Sequence, residues 1–354
     1  MLRRFSPILP SCSLAAWAGM FLAAASSLFA SDPLGLVLPT DNDAIFSADP
    51  SNFYMYTDRN FEGVTSKPWE GGQYGFSRDQ KRTSIGIIYT RLHEGIDIRP
   101  VKRDASGNPL DEVRAIAAGT VVYVSASAGE SNYGRYLVVH HDWGDGPFFS
   151  LYAHLSKTLA TLGQRVAGGE TIAVMGYTGA GINRERSHVH VELNFILSDR
   201  FQVWYGKHFT TANHHGIYNG FNLTGLDIAG LLKAHRANPA ISIPQFLREK
   251  EEVYYKVAIP AKGPLSLLQR YPWLGEGEAP SGKPGNWEIA FNDKGVPLAV
   301  RAGEKKINGP VVTYVKPSGT DHSYLTVGRI TGSGNSATLT PTGSRYVQLI
   351  TDSF

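Results

Sequence analysis

The sequence has 354 residues, of which 42% are hydrophobic and 18% are charged. This composition can fill the core of one large or two modest domains and excludes a disordered chain. The formal charge of +3 gives no electrostatic argument for nucleic-acid binding. The 38 glycines, 20 prolines, 17 tyrosines and 16 phenylalanines favour short strands and turns, so a mainly β fold is predicted.

The N-terminus has the pattern of a secretory signal peptide. Two arginines precede an apolar run over residues 14–29, which is shorter than the about 20 residues of a membrane span. Cleavage after Ala30 would remove both arginines and no acidic residue, leaving a charge of 3 − 2 = +1, and would remove Cys12, the one cysteine. The mature chain is therefore predicted to be exported to a periplasm, a cell envelope or the medium. Stable membrane insertion, disulfides and thiolate ligands are not expected.

Residues 31–92 are rich in Pro, Gly, Asp and aromatic residues, which predicts an irregular, groove-lining wrap. Residues 93–200 form the predicted core, with strand character from about residue 85. Glycine-rich turns separate its strands at short intervals, which predicts an antiparallel β-sheet or sandwich. The predicted strands are 119–125, 136–141, 148–154, 171–175 and 188–195.

After residue 200 the pattern changes. Residues 201–280 are predicted to form a helical extension and a linker, with helices over 223–237 and 243–257. Residues 281–354 are predicted to form a small β unit. Its clearest predicted strands are 311–315 and 346–350.

Three short histidine motifs lie between residues 93 and 192. Imidazole nitrogen and carboxylate oxygen are the ligands expected of catalytic zinc, which keeps three protein ligands and one open position. The motifs are His93-Glu94-Gly95-Ile96-Asp97, Tyr152-Ala153-His154-Leu155 and Ser187-His188-Val189-His190-Val191-Glu192.

Side-chain alternation along a strand predicts which of these residues share a face. His188, His190 and Glu192 are predicted to point one way while the intervening valines point into the core. The same alternation places Tyr152 and His154 together on their own strand, although Tyr152 also suits a core position. Pairing of the two strands would bring the polar side chains together.

His93 and Asp97 require a bend in the chain. Four residues along a straight strand span about 13 Å, which is too far for two ligands of one ion. Gly95 permits the bend. The motif is not HExxH, so Glu94 is interpreted as a solvent-facing neighbour of a ligand.

The residues alone leave the ligand choice open. His188 and His190 could both bind a metal ion in a three-histidine site with His93, or one could bind while the other transfers protons. Taken singly, each histidine is more often structural than catalytic. Glu192 is better suited to orient a histidine than to bind the metal ion as a ligand.

Together the three motifs resemble the lysostaphin/LytM family of zinc peptidases, which cut peptidoglycan peptides. They occur in the order of that family and with similar separations, and the likeness covers residues 85–197. The glycine-rich turn at 163–169 and the Tyr177-Thr178-Gly179 segment also resemble the family domain. One HxH motif would be weak support, whereas three ordered motifs are strong.

The resemblance implies one Zn²⁺ per chain and a role for each residue. His93, Asp97 and His190 would be zinc ligands, and His154 and His188 would be catalytic. A zinc-bound water would attack a peptide carbonyl, while the two catalytic histidines transfer protons and stabilise the oxyanion. All five positions carry the residues of the family motifs. This argues against a degenerate member of the family that has lost ligands.

The chain departs from the family pattern in the longer segment 181–186. Arg184 or Arg186 could bind a stem-peptide carboxylate there, with plain solvation as the alternative. His214 and His215 lie outside the matched region and are predicted to form a turn, with contact to the site as the alternative. His140 and His141 are predicted to lie in a surface turn.

The sequence therefore predicts an exported zinc metallopeptidase acting on peptidoglycan stem peptides or cross-bridges. A catalytically silent cell-wall-binding or amidase-activating module of the same fold is the alternative. A zinc hydrolase of other extracellular peptides is a third hypothesis. The bond that is cut and the oligomeric state do not follow from the residues.

Overall fold

A computed structural model describes residues 33–277 and 282–354 of the chain. The predicted signal peptide, residues 1–30, lies outside these residues. Strands predominate, and neighbouring strands of each sheet run antiparallel, so the predicted mainly β fold is confirmed.

Two hairpins precede the core. The second hairpin is the longer and ends at His93, the first of the predicted site residues. Its first strand carries a β-bulge between Phe76 and Arg78. The four strands are β1 (Arg59–Phe61), β2 (Val64–Ser66), β3 (Gly75–Thr83) and β4 (Gly86–His93).

Ten further strands follow, and all but the last, β14, lie in the region where the sequence predicts the core. The predicted strand 119–125 is reproduced, and the other four predicted strands differ from the observed ones by one residue at one or both ends. The observed strands are β5 (Ile96–Ile98), β6 (Glu112–Arg114), β7 (Gly119–Ser125), β8 (Tyr136–Asp142), β9 (Pro147–Ala153), β10 (Lys157–Thr158), β11 (Arg165–Val166), β12 (Thr171–Val174), β13 (Val189–Ile196) and β14 (Leu223–Gly225).

Strand β13 lies inside the main, seven-stranded sheet. The strand order is β11-β7-β8-β9-β13-β14, and β5 pairs with β13 beside β14. His190 faces Ala153 of β9 on one side and Asp97 of β5 on the other. This register brings residues separated by 93 positions in the chain into adjacent places. Strands β10, β12 and β6 form a separate three-stranded sheet.

Both faces of the main sheet carry buried apolar residues. Val189, Val191 and Leu193 belong to the larger core, together with residues of β6 and β12. A smaller cluster on the other face contains Tyr136 and Leu151. The even-numbered residues of β13 lie on that second face, as the alternation predicts.

The remaining chain forms helices and a four-stranded sheet of order β17-β16-β15-β18. The helices are α1 (Phe201–His208), α2 (Ile228–Ala237), α3 (Ile243–Lys250), α4 (Ser266–Arg270), α5 (His322–Leu325) and α6 (Pro341–Thr351). The strands are β15 (Tyr255–Pro260), β16 (Asn286–Phe291), β17 (Pro297–Gly303), β18 (Val311–Val315), β19 (Ile330–Thr331) and β20 (Thr338–Leu339). Among the residues that the structure describes, no helix is both long and apolar enough to cross a membrane.

Three predictions for this region were wrong in part or whole. The predicted helix 243–257 ends at Lys250, and the chain enters β15 at Tyr255. The predicted helix 223–237 begins with a short strand and becomes helical only at Ile228.

The predicted strand 346–350 is part of helix α6. The Thr340 side chain accepts a hydrogen bond from the Gly343 amide at the helix start, and Pro341 occupies the first turn. Gly343, Val347 and Ile350 are buried, and their spacing is that of one helix face. Capping and tertiary burial therefore outweigh the strand preference of the aromatic and β-branched residues.

The predicted surface turn at His141 was also wrong. His141 is fully buried on β8, where its Nδ1 lies 2.8 Å from the Ala118 carbonyl and its Nε2 lies 2.7 Å from the Ser150 hydroxyl. Its ring stacks on Trp143 with the centroids 4.7 Å apart. His141 is thus a hydrogen-bonded core residue.

Candidate metal centre and substrate groove

The end of β4 and the start of β5 position His93 and Asp97. Only Glu94 and Gly95 separate the two strands, and the bend brings His93 Nε2 to 3.2 Å from Asp97 Oδ1. A Cβ atom at residue 95 would lie 2.3 Å from the Val191 carbonyl oxygen. Glycine is therefore required here because β5 packs closely against β13, in addition to permitting the bend.

Strand β13 supplies His190 and Glu192 on one face. His190 Nδ1 lies 2.9 Å from Asp97 Oδ1, and His190 Nε2 lies 2.8 Å from Glu192 Oε1. His188 immediately precedes the strand, with its Nε2 3.3 Å from Asp97 Oδ1. Alternation along β13 thus places the three residues on the same side of the sheet.

The His154 side chain is directed into the site by a backbone conformation that differs from the predicted strand. Strand β9 ends at Ala153, and His154 has a left-handed backbone with φ of 61°. The expected alternation therefore breaks, and Tyr152 is buried in the core while His154 turns towards His188. The ring centroids of His154 and His188 are 4.7 Å apart.

Three donor atoms form a compact triangle that we call the His–Asp–His cluster. Its atoms are His93 Nε2, Asp97 Oδ1 and His190 Nδ1, and all three residues are buried. The two histidine nitrogens are 3.1 Å apart. Ligands of tetrahedral zinc with bonds of about 2.1 Å lie roughly 3.4 Å apart, so a few tenths of an ångström of expansion would fit the ion.

Each imidazole is oriented by a bond from its other ring nitrogen. His93 Nδ1 lies 2.8 Å from the Gln73 carbonyl, and His154 Nδ1 lies 2.9 Å from the Thr178 carbonyl. His188 Nδ1 lies 2.6 Å from the Arg186 carbonyl, while His190 uses Glu192. Carbonyl and carboxylate oxygens can only accept a hydrogen bond, so the ring nitrogens in these contacts carry the hydrogen. The opposite ring nitrogens are then free to act in the site.

Glu192 is held in turn by two donors. The Tyr133 hydroxyl donates to Oε1 over 2.6 Å, and the Asn194 side-chain amide donates to Oε2 over 2.8 Å. Burial raises the pKa of Glu192, but the bonds from His190, Tyr133 and Asn194 bring it below its usual value. The carboxylate therefore stays charged and accepts a hydrogen bond from His190 Nε2–H.

Burial and neighbouring charge shift the pKa values of the site in opposite directions. Burial lowers the pKa of His93 to about 4. Burial would also lower the pKa of His190, but hydrogen bonds to Asp97 and Glu192 raise it to about 10. Burial would raise the pKa of Asp97, whereas the surrounding imidazoles hold it well below its usual value. The carboxylates of Asp97 and Glu192 thus favour a positive charge beside His190, which a proton or a metal cation can supply.

The cluster lies in an open groove of about 1500 Å³. Small-molecule pockets are typically about 300–1,000 Å³, so this groove suits a longer polymer segment. Segments outside the predicted core form much of its walls. They include residues 57–61 and 78–80 on the N-terminal side, and His215, residues 219–221, Leu223, Val327 and Gly328 on the C-terminal side.

The two arginines of the long loop have different positions. Arg186 lines the groove, and its Nε lies 3.3 Å from the Tyr56 carbonyl while the guanidinium approaches Asp58 to 3.7 Å. The Arg184 side chain is exposed. The Arg186 side chain thus connects the loop at residues 181–186 to the N-terminal segment, and the Arg186 backbone carbonyl orients the His188 ring.

Three groove residues were missed by sequence reasoning: Arg78, Tyr133 and, as a groove residue, His215. Tyr136 OH lies 2.8 Å from His215 Nδ1 and fixes that ring at the groove wall. Arg78 follows a β-bulge in β3 and Tyr133 lies in a loop, so no periodicity marks either side chain as functional. Only the histidine pair at 214–215 carried a signal, and the sequence reading interpreted it as a turn.

The buried donor triangle could hold a metal ion, and it lies in an open groove. Residues 91–200 match the model of Peptidase family M23, so the chain contains a domain of this family. The resemblance derived from the motifs is thereby confirmed. M23 peptidases are zinc-dependent, in agreement with the donor set of the His–Asp–His cluster.

Two relatives match parts of this domain. An "Uncharacterized metalloprotease" of Haemophilus influenzae is 36% identical over 119 residues, covering 34% of this chain and 22% of the relative. A "Lipoprotein NlpD/LppB homolog" of Pseudomonas aeruginosa is 34% identical over 102 residues, covering 29% of each chain. The chain thus spans less than a third of the length of either relative.

Among solved structures, the catalytic domain of the prophage-encoded M23 protein EnpA from Enterococcus faecalis is similar to this chain. The identity is 25%, and the match covers 34% of this chain and 75% of that domain with a TM-score of 0.24.

Proposed function

We propose that this chain is an exported zinc metallopeptidase that hydrolyses peptide cross-links of peptidoglycan. The observation that supports the proposal most directly is the convergence of five residues from three separate motifs in one open groove. His93, Asp97 and His190 would hold one Zn²⁺ per chain, and His154 and His188 would act on the substrate. Residues 93–200 would be the catalytic core.

Zinc bound by these residues would polarise the scissile carbonyl and make water more acidic. His154 is suited to accept the water proton, because its Nδ1 is bonded to the Thr178 carbonyl and its Nε2 remains available. Burial, reinforced by the neighbouring imidazoles, holds the pKa of His154 well below its usual value. His154 is therefore neutral, and thus able to accept a proton, at neutral pH.

His188 would complete the proton transfers. Its Nδ1 bond to the Arg186 carbonyl is compatible with both the neutral and the protonated ring, so Nε2 can gain and release a proton without reorientation. As the oxygen of water attacks the carbonyl carbon, its proton would pass to His154, and a protonated His188 Nε2 would donate a hydrogen bond to the developing oxyanion. When the C–N bond then breaks, the leaving nitrogen would receive the proton that His154 took from water.

The substrate and the location are supported by the family and by the groove. Two relatives that match parts of the chain are named as lipoproteins, which supports a location in the cell envelope. The volume of the groove, about 1500 Å³, suits a peptide segment with residues on both sides of the scissile bond. Residues 31–92, 201–280 and 281–354 would flank the core and complete the groove walls.

The test is to measure zinc in the purified mature protein and muropeptide release from peptidoglycan on the same preparation. We expect one zinc per chain and release that a chelator abolishes, with the products identifying the bond. Zinc with release only from other extracellular peptides would replace the peptidoglycan proposal by the broader peptidase. Absence of zinc would contradict the enzyme and favour a silent wall-binding or amidase-activating module.

A further inference from the structure

Arg78 reaches the metal centre from outside the M23 domain. It lies on β3, whereas the family match begins at residue 91. One terminal nitrogen of its guanidinium, Nη2, donates to Asp97 Oδ2 over 2.6 Å. Its Nε donates to the Gly71 carbonyl over 2.8 Å. The guanidinium is thus bonded both to the main chain of the N-terminal segment and to a candidate metal ligand.

The local backbone explains how Arg78 is directed into the site. The β-bulge between Phe76 and Arg78 inserts one extra residue, so that Phe76 faces Leu92 and Arg78 faces Arg91. The next residue, Asp79, has a left-handed backbone with φ of 53°. A bulge changes the side on which the following side chain emerges. The irregularity of β3 therefore serves to turn Arg78 towards Asp97.

The two oxygens of Asp97 have separate partners. Oδ1 faces His93, His188 and His190 at 2.9–3.3 Å, whereas Oδ2 is bonded to Arg78. The Asp97 side chain is only 4% exposed. A buried carboxylate requires compensation for the water it has lost, and the guanidinium provides a charged partner on the side away from the histidines.

We propose that Arg78 is a positioning residue that fixes Asp97 as a ligand through Oδ1 alone. The inference rests on the proposed zinc site, because it assigns Arg78 a role towards that metal. A carboxylate that binds through both oxygens occupies two positions around an ion. With Oδ2 held by Arg78, the His–Asp–His cluster contributes three donors and leaves the fourth position of a tetrahedral ion open. The N-terminal hairpin is then part of the metal centre.

The first measurement is the zinc dissociation constant of the full mature chain by competition with a chromophoric chelator. Loss of a residue that orients a ligand typically weakens metal binding or activity by 10–100-fold, and we expect a shift in this range for Arg78→Ala. Arg82 lies on the same strand but pairs with Glu62 outside the groove, so Arg82→Ala is the matched control and should retain wild-type affinity.

The Arg78→Lys variant distinguishes the effect of the positive charge from the effect of the guanidinium geometry. Lysine keeps the positive charge but cannot bridge the Gly71 carbonyl and Asp97 Oδ2 in the same fixed plane. We expect its zinc affinity to remain at least about tenfold weaker than wild type. This variant also retains a cation beside the buried carboxylate, so it tests the inference if Arg78→Ala does not fold.

The second measurement is the visible spectrum of the Co²⁺-loaded protein, which reports coordination number independently of activity. The wild type should show the intense absorption of four-coordinate cobalt. Arg78→Ala should show the weaker absorption of a higher coordination number, because Asp97 can then bind through both oxygens.

Wild-type affinity and an unchanged cobalt spectrum in both Arg78 variants would overturn the inference and leave the zinc peptidase proposal intact. Failure of the wild-type chain to bind zinc would instead overturn the proposed function, and with it the role of Arg78.

Discussion

The histidines of the candidate centre form two groups, those within the donor triangle and those beside it. His93 and His190 belong to the triangle, whereas His188 lies beside it with its Nε2 3.3 Å from Asp97 Oδ1. His154 lies beside this triangle, with its ring 5.9 Å from that of His190. Substitutions in the two groups should therefore have separable effects on metal binding and on activity.

His190→Ala removes one of three donors, so we expect the chain to lose zinc and activity together. His154→Ala leaves the triangle intact and should keep one zinc per chain while activity falls by about 10²–10⁴-fold. Metal analysis and peptide hydrolysis on the same samples check both expectations. Full zinc content in His190→Ala would contradict the ligand assignment.

His141 should make stability depend on pH through a group outside the metal centre. Burial lowers the pKa of His141 to about 4, against an ordinary value of 6.5. Above pH 6.5 both the folded and the unfolded chain carry neutral His141, and its contribution to stability is complete. As the pH falls towards 4, the unfolded chain takes up a proton that the folded chain excludes, which costs up to about 3 kcal/mol.

Urea unfolding at pH 7 and pH 4.5 tests this expectation. Between these values the wild type should lose about 2–3 kcal/mol more than His141→Gln, which cannot take up the proton. Equal losses in the two proteins would show that His141 does not contribute to acid destabilisation.

At the scale of elements, the contact of β5 with β13 determines the donor triangle. Asp97 lies opposite His190 in this pair, and Gly95 allows the approach because a Cβ atom there would meet the Val191 carbonyl. The position of Asp97 therefore depends on a backbone contact as much as on its own side chain.

Gly95→Ala should force β5 away from β13. We expect a loss of about 1–3 kcal/mol in the free energy of unfolding together with weaker zinc binding. Gly129 is the matched control, since a Cβ atom there has open space and Gly129→Ala should change stability by less than about 0.5 kcal/mol. Denaturant unfolding and chelator competition measure the two effects. A Gly95→Ala chain with wild-type affinity would show that the close approach is dispensable.

At the scale of the whole molecule, the C-terminal part shares a core with the main sheet. The ring of Tyr271 packs against Phe195 of β13 with the centroids 4.7 Å apart. Its hydroxyl accepts from the Ile196 amide over 3.0 Å and donates to the Pro147 carbonyl over 2.8 Å. One side chain thus connects residues after 200 to strands β9 and β13.

Tyr271→Ala should therefore destabilise the main sheet as well as the C-terminal part. We expect a single unfolding transition that is lower by about 3–5 kcal/mol, and a loss of about 1–2 kcal/mol for Tyr271→Phe, which removes only the hydroxyl. The half-exposed Tyr314 on β18 serves as the control. Two separate transitions, with the zinc site unaffected, would contradict a shared core.

Several features of the structure could be predicted from residues that lie close together in the sequence. The alternation of His188, His190 and Glu192 with valines predicts one polar and one apolar face because strand geometry has a period of two. Glycine beside His93 predicts the bend that Asp97 requires. The strand 119–125 and its neighbours follow from short β-branched runs between turns. These features depend on residues within a few positions of one another.

Other features were decided only by the tertiary structure. The direction of His154 depends on a left-handed backbone held between the strand end and the Thr178 carbonyl, and that of Arg78 depends on a bulge across from β4. Helix α6 forms because its cap and buried face outweigh strand preference. The directions of His154 and Arg78 depend on contacts between distant segments, and such contacts leave no periodic signal in the sequence.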